Sequence, residues 1–229
     1  MILSVHIADV GKAAALRLLG GRSPRSAPPG ARYAELTGAV PLSPHVVPKP
    51  TLGRVGLIAA WDGDAAVDDF LVGHPLAKQL AHGWHVRLAP TRIFGAWSRL
   101  DGLARDEVPM AGDEPAAVLT LGRLRLTQTL RFLRASAAAE GLALREPALL
   151  ASTALARPPS LVATFSLWQT TEAMRAYARG DADPGHKAAV HAHAARPFHH
   201  ESAFIRFRPY ASTGSWDGKD PLAAHVPAG

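Results

Sequence analysis

Apolar and polar positions follow two periods along this chain. Residues 1–7 alternate at the period of a strand, and the apolar residues over 12–19 recur at that of a short helix. Residues 32–36 read as a second strand after the turn Ala27-Pro28-Pro29-Gly30. The apolar run 55–61 reads as a third, followed by an acidic helical segment over 62–83 and a strand over 85–97. In the second half a strand is predicted over 116–121. A helix over 127–139 follows, with Leu130, Leu133 and Ala137 at helical spacing. A weak strand over 145–152, a strong one over 161–167, a helix over 169–180 and a last strand within 203–216 complete the pattern. Each half therefore reads β-α-β-β-α-β, the ferredoxin-like order.

The two halves also repeat in detail. Trp61 matches Trp168, and Phe70 matches Tyr177 nine residues after each tryptophan. The spacing Pro-x4-Gly-x-Trp-x3-Asp-x-Leu occurs twice, as Pro90, Gly95, Trp97, Asp101, Leu103 and as Pro209, Gly214, Trp216, Asp220, Leu222. The expected class is α+β: two tandem ferredoxin-like repeats forming an intramolecular dimeric α/β barrel. The expected boundaries are 1–104 for the first repeat, 105–115 for an acidic, turn-rich linker and 116–229 for the second. Two four-stranded sheets packed face to face, with helices outside, would leave an apolar cleft between sheet and helices. From tryptophan to proline the second half is longer, 41 residues against 29, and that longer stretch holds five of the eleven histidines.

Composition narrows the chemistry. Among 229 residues there is no cysteine, which excludes disulfides, thiolate metal sites, iron–sulfur clusters and a cysteine nucleophile. The apolar fraction of 48% and charged fraction of 19% are those of a folded domain, and no apolar run approaches the roughly 20 residues of a membrane span. The start MILSVHIADV reads as a strand and not a signal segment, so a cytoplasmic address is expected. Twenty-five Lys+Arg against nineteen Asp+Glu give a net charge of +6. The arginines are scattered and lack interleaved aromatic residues, which argues against nucleic acid and leaves an anionic membrane surface or an acidic ferredoxin-type donor as partners.

Five histidines lie between positions 186 and 200: His186, His191, His193, His199 and His200. Their spacings of five and two place no pair well on one helix face, so a zinc site is not indicated. Haem needs a single protein imidazole. His186 opens a new helical segment after the break at 180–184, and His74 holds a comparable place in the first half. No GxSxG, GxGxxG, P-loop or HExxH motif competes. Asp62, Asp64, Asp68 and Asp69 fit the N-terminus of a helix. Trp61, Trp97, Trp168 and Trp216 read as core or edge packing.

Three blocks carry a family resemblance: GARYAELTGA; GLIAAWDGDAAVDDFLVGHPLA with LAPTRIFGAWS; and ATFSLWQTTEAMRAYARG…GHKAAV with FIRFRPYASTGSWDGKDPL. Over nearly its whole length the chain resembles the spheroidene monooxygenase family of carotenoid biosynthesis. The resemblance implies haem b, a dimeric α+β barrel and oxygen insertion at an allylic carbon of a polyene. It maps the iron ligand to His186. His199, His200, Arg206 and Arg208 are candidates for the distal group, with Arg for the haem propionates; Arg208 is taken for the propionates and the other three for the catalytic role. Arg206 and Arg208 share one face of the last strand, and Ile205 and Phe207 the other. A small apolar substrate, a ferredoxin-type donor, peripheral membrane contact and a homodimer are the expected partners. Two other readings remain open: a haem-dependent dehydratase acting on an N–O substrate such as an aldoxime, and a non-catalytic haem- or ligand-binding barrel.

Overall fold

A computed structural model of the chain describes residues 1–20, 27–46, 51–103, 108–179 and 197–226. The first half contains β1 (Ile2–Asp9), α1 (Lys12–Gly20), β2 (Ala31–Val40), β3 (Arg54–Trp61), α2 (Asp64–Gly73), α3 (Pro75–Leu80) and β4 (Trp84–Ala96). The second contains β5 (Ala116–Leu124), a 3-10 turn (Leu126–Gln128), α4 (Thr129–Ala143), β6 (Leu149–Arg157), β7 (Leu161–Trp168), α5 (Thr171–Arg179) and β8 (His199–Gly214). The strands run in the order β1-β3-β2-β6-β7-β5-β8-β4 and close into one barrel. Each half keeps the ferredoxin-like order, and the two form the single intramolecular α/β barrel that the repeat implies. Pairing β2 with β6 and β4 with β8 joins them edge to edge. A free edge would leave a row of unpaired N–H and C=O groups, and closure satisfies both at once.

Alternation fixes what lies inside. Leu3, Val5, Ile58, Val86, Leu88, Leu119, Phe165, Ile205 and Phe207 point inward and form one core cluster. The β4–β8 ladder, from Trp84 opposite Gly214 to Ala96 opposite Ser202, crosses the pseudo-twofold axis. Pro90 and Pro209 sit near its centre, opposite Phe207 and Leu88. Proline has no N–H to give a ladder, and the register slips just beyond each one, leaving Thr91 and Tyr210 unpaired in the ladder. Thr91 Oγ1 instead donates to the Arg206 carbonyl at 3.1 Å, and Tyr210 OH to Asp64 at 2.8 Å.

The rest of the repeated motif plugs the barrel. Gly95 and Gly214 have φ of 79° and 91°, and a Cβ at either would strike the carbonyl oxygen of Ser202 or Gly83. The chain then turns back, so that Trp97, Leu100 and Leu103 on one side, and Trp216 and Leu222 on the other, join the core. Trp61 and Trp168 are buried as expected and contact Phe70 and Tyr177, each at 5.0 Å between ring centroids. The acidic segment after Trp61 is not one helix. His74 takes an extended conformation before Pro75, its Nδ1 accepts from Leu76 N at 3.2 Å, and α3 begins there. Gly63 is the N-cap of α2, while Asp64 and Asp68 pair with Arg87 across the sheet at 2.8 and 2.5 Å.

The two repeated aspartates have different work. Asp220 accepts from Trp84 Nε1 at 2.8 Å, Ser212 Oγ at 2.7 Å and Leu222 N at 2.9 Å, whereas its counterpart Asp101 is exposed. Asp220→Ala is expected to lose about 2–3 kcal/mol in urea unfolding, because it strands the buried Trp84 N–H. Asp101→Ala should stay within about 0.5 kcal/mol of the parent. Equal effects would show that the plugs carry no such asymmetry.

Candidate functional site

The outer faces of the two half-sheets, which look toward the helices, are built differently. In the first half Val55, Leu57, Ala59 and Trp61 of β3 pack against Val67, Phe70, Leu76 and Leu80 of α2 and α3. The matched positions of β7, counted back from Trp168, are Val162, Thr164 and Ser166, and all three are only half-buried. Across the ladders lie Thr120 and Gly122 of β5 and Ser152 and Ala154 of β6. The floor of the second half is therefore low, made of hydroxyl, methyl and hydrogen side chains flanked by Val118 and Val162. Helix α4 does little to fill it: of its fifteen residues only Ala137 and Ala143 are fully buried.

His199 stands at one end of this floor. Its imidazole lies over Gly122, where a Cβ would come within 2.5 Å of Cδ2 and 2.6 Å of Nε2. Phe132 of α4 and Phe198 meet the ring edge to face at 5.2 and 6.2 Å. Glycine at 122 is thus what admits the imidazole. Arg206 and Arg208 do project from the outer face of β8, while Ile205 and Phe207 turn into the core. Arg206 is 8% exposed and lies opposite Arg92 across the β4–β8 ladder. Arg208 donates from Nε to Glu114 at 2.9 Å and from Nη2 to the Pro109 carbonyl at 3.0 Å, which ties β8 to the segment between the halves. His200 is exposed at the start of β8. His186, His191 and His193 lie outside the described residues. Among those described, no three His, Asp or Glu side chains converge on a metal position.

A second pair of histidines carries no signal in the sequence and is brought together only by the fold. His6 and His85 face each other across β1 and β4, with stacked rings 5.1 Å apart, beside a pocket of about 360 Å³ that Asp68, Leu71, Leu80 and Arg87 also line. Trp61 Nε1 donates to Ser4 Oγ at 2.8 Å, and Ser4 Oγ lies 3.0 Å from His6 Nε2. Burial pushes the His6 pKa down to about 3, helped by the positive field of His85 and Arg87. Burial, with Arg87, lowers that of His85 too. Strand alternation would have placed both on one face; a lone histidine in an apolar strand gave no reason to look. His74, at the place in the first half comparable to that of His186, caps α3 through its Nδ1, which accepts from Leu76 N.

No protein-family model matches the chain. Among curated proteins it is 31% identical to spheroidene monooxygenase of Rubrivivax gelatinosus, over 95% of this chain and 86% of that protein. It is 27% identical to spheroidene monooxygenase of Rhodobacter capsulatus, over 92% and 88%. Among solved structures, an aldoxime dehydratase in complex with butyraldoxime superposes with a TM-score of 0.58 over 99% of this chain and 86% of that one, at 10% identity. At that identity the likeness is one of fold.

The neutral His6 makes a pH prediction. Its pKa falls from 6.5 in the unfolded chain to about 3 when folded, so its contribution is complete above pH 6.5 and is lost as the pH falls toward 3. Between pH 7 and pH 5 the parent should lose about 2 kcal/mol more than a His6→Leu variant, at about 1.4 kcal/mol per pH unit below 6.5. Parallel urea-midpoint profiles for the two proteins would refute the buried neutral imidazole.

Proposed function

Because the chain belongs to the spheroidene monooxygenase family, we propose that this monooxygenase-like enzyme oxygenates an apolar, carotenoid-like substrate over the outer face of its second half. The observation that carries the reading is the difference between two faces built on one scaffold. The first packs Leu57, Trp61 and Phe70 beside the His6–His85 pocket, and the second is floored by Thr120, Gly122, Ala154, Thr164 and Ser166.

Such a floor fits haem b, which needs room for a flat apolar ring, one imidazole for the iron and cations for its carboxylates. His186 is the proposed iron ligand. Arg208 is proposed for a propionate and Arg206, beside it on the outer face of β8, for the distal role. Bound there, haem would supply the dioxygen activation that insertion into an allylic C–H bond demands. The balance of that reaction is one substrate, one dioxygen, two electrons and two protons giving one alcohol and one water, with the electrons coming from a ferredoxin-type donor.

The chain's own residues would then hold the substrate and manage protons. Val118, Val162, Phe204 and Phe132 offer apolar contact and exclude water. His199 is suited to holding or passing a proton at a ring nitrogen, since Gly122 keeps it close to the floor and the two phenylalanines fix its plane. The same imidazole favours a second reading, in which an N–O substrate such as an aldoxime loses water with no net consumption of dioxygen or reductant.

The first test is the ultraviolet–visible spectrum of protein expressed with a haem precursor. A Soret band is expected, absent from His186→Ala and retained in His199→Ala. No band in the parent after haem titration would sink the haem reading in both its forms. Turnover of a polyene with dioxygen and reductant supports the oxygenase, whereas anaerobic conversion of an oxime supports the dehydratase. Gly122→Ala should lower turnover by about 10²-fold with the Soret band unchanged, because its Cβ displaces the His199 ring.

A further inference from the structure

The helical spacing of Leu130, Leu133 and Ala137 predicts one buried stripe, and the structure breaks it. Leu133 is half-buried and Ala137 buried, but Leu130 is turned outward, 57% exposed, and Leu126 one turn earlier is 61% exposed. Arg134 continues the same line of the helix and is exposed. Arg125, held at the sheet rim by a bond from its Nε to the His199 carbonyl at 3.2 Å, and Arg131, stacked 4.5 Å over the Phe198 ring, flank the stripe. From residue 116 to residue 139 the chain has four arginines and no acidic residue.

We propose that this turn, the 3-10 segment and the first two turns of α4, docks on an anionic lipid bilayer, with Leu126 and Leu130 inserted and Arg125, Arg131 and Arg134 at the level of the headgroups. An acidic protein would answer the charge but leave two bare leucines between the arginines; an anionic bilayer answers both. Contact is peripheral, since no helix among the described residues is long and apolar enough to cross a membrane. The inner side of the same turn carries Phe132, which packs on His199. The docked surface therefore lies directly over the floor, where a lipophilic substrate would leave the bilayer. In naming that source the inference rests on the proposed function, but vesicle binding needs neither cofactor nor turnover, so the two fail separately.

The test is co-sedimentation of the full chain with vesicles of phosphatidylcholine alone and of phosphatidylcholine with about one third phosphatidylglycerol. Binding is expected to the second only, and to weaken with salt. The double variant Leu126→Asp, Leu130→Asp should reduce partitioning by about tenfold or more, and Arg134→Glu by several-fold. Leu52→Asp, an equally exposed leucine elsewhere, should change nothing, with circular dichroism confirming that each variant folds. The proposal is overturned if the parent ignores phosphatidylglycerol vesicles or if the double aspartate variant binds as the parent does. Loss on charge reversal alone, with the leucines irrelevant, would likewise overturn it and point to an acidic protein partner.

Discussion

Everything in this barrel hangs on the antiparallel ladder between β4 and β8. It joins the two repeats across their pseudo-twofold axis and gives each of the longest strands a partner along its length. Proline at 90 and 209 interrupts that ladder in matched places. The interruption bends both strands, and the glycines at 95 and 214 then allow the chain to fold back so that Trp97 and Trp216 close the core. A motif that stands out in the sequence as an internal repeat is thus the mechanism by which a twofold barrel is joined and stoppered.

With the scaffold held in common, the two helix-facing surfaces are free to diverge. Arg87 and Arg206 occupy matched positions on β4 and β8. The first is neutralised by Asp64 and Asp68 of α2, while Thr171 and Arg175 stand at the corresponding places in α5. On β3 and β7, Leu57 and Ala59 give way to Thr164 and Ser166. The first surface has become a packed support with two neutral histidines inside it. The second keeps low side chains beneath a helix that scarcely packs against them, and this is where the chemistry is proposed to reside.

The sequence was most legible where residue types have few structural substitutes. Trp61 with Phe70, Trp168 with Tyr177, and the proline, glycine and tryptophan of the repeated motif all sit where their spacing implied. The barrel was legible from the repeat, but the strands that form its seam were not, because the β2–β6 pairing rests on Gly38, Ala39 and Val40 against Ala156, Leu155 and Ala154, apolar residues with no pairing signature. The break at Pro75 was legible in principle and was masked by continuous apolar spacing on both sides. His6 and His85 were missed since their significance comes from a cross-strand register that one strand cannot reveal. His199 was singled out as one of five histidines, but the reason it matters, a glycine at 122 on another strand, appears only in three dimensions.

The ladder also sets an order of events. β8 is last in chain order, yet it supplies the neighbour for both β4 and β5. Until it emerges from the ribosome, the first repeat has its longest strand bare on one side and the second repeat lacks an entire edge. Before β8 is in place, those strand edges are open to pairing with other chains, which is the exposure that calls for a chaperone.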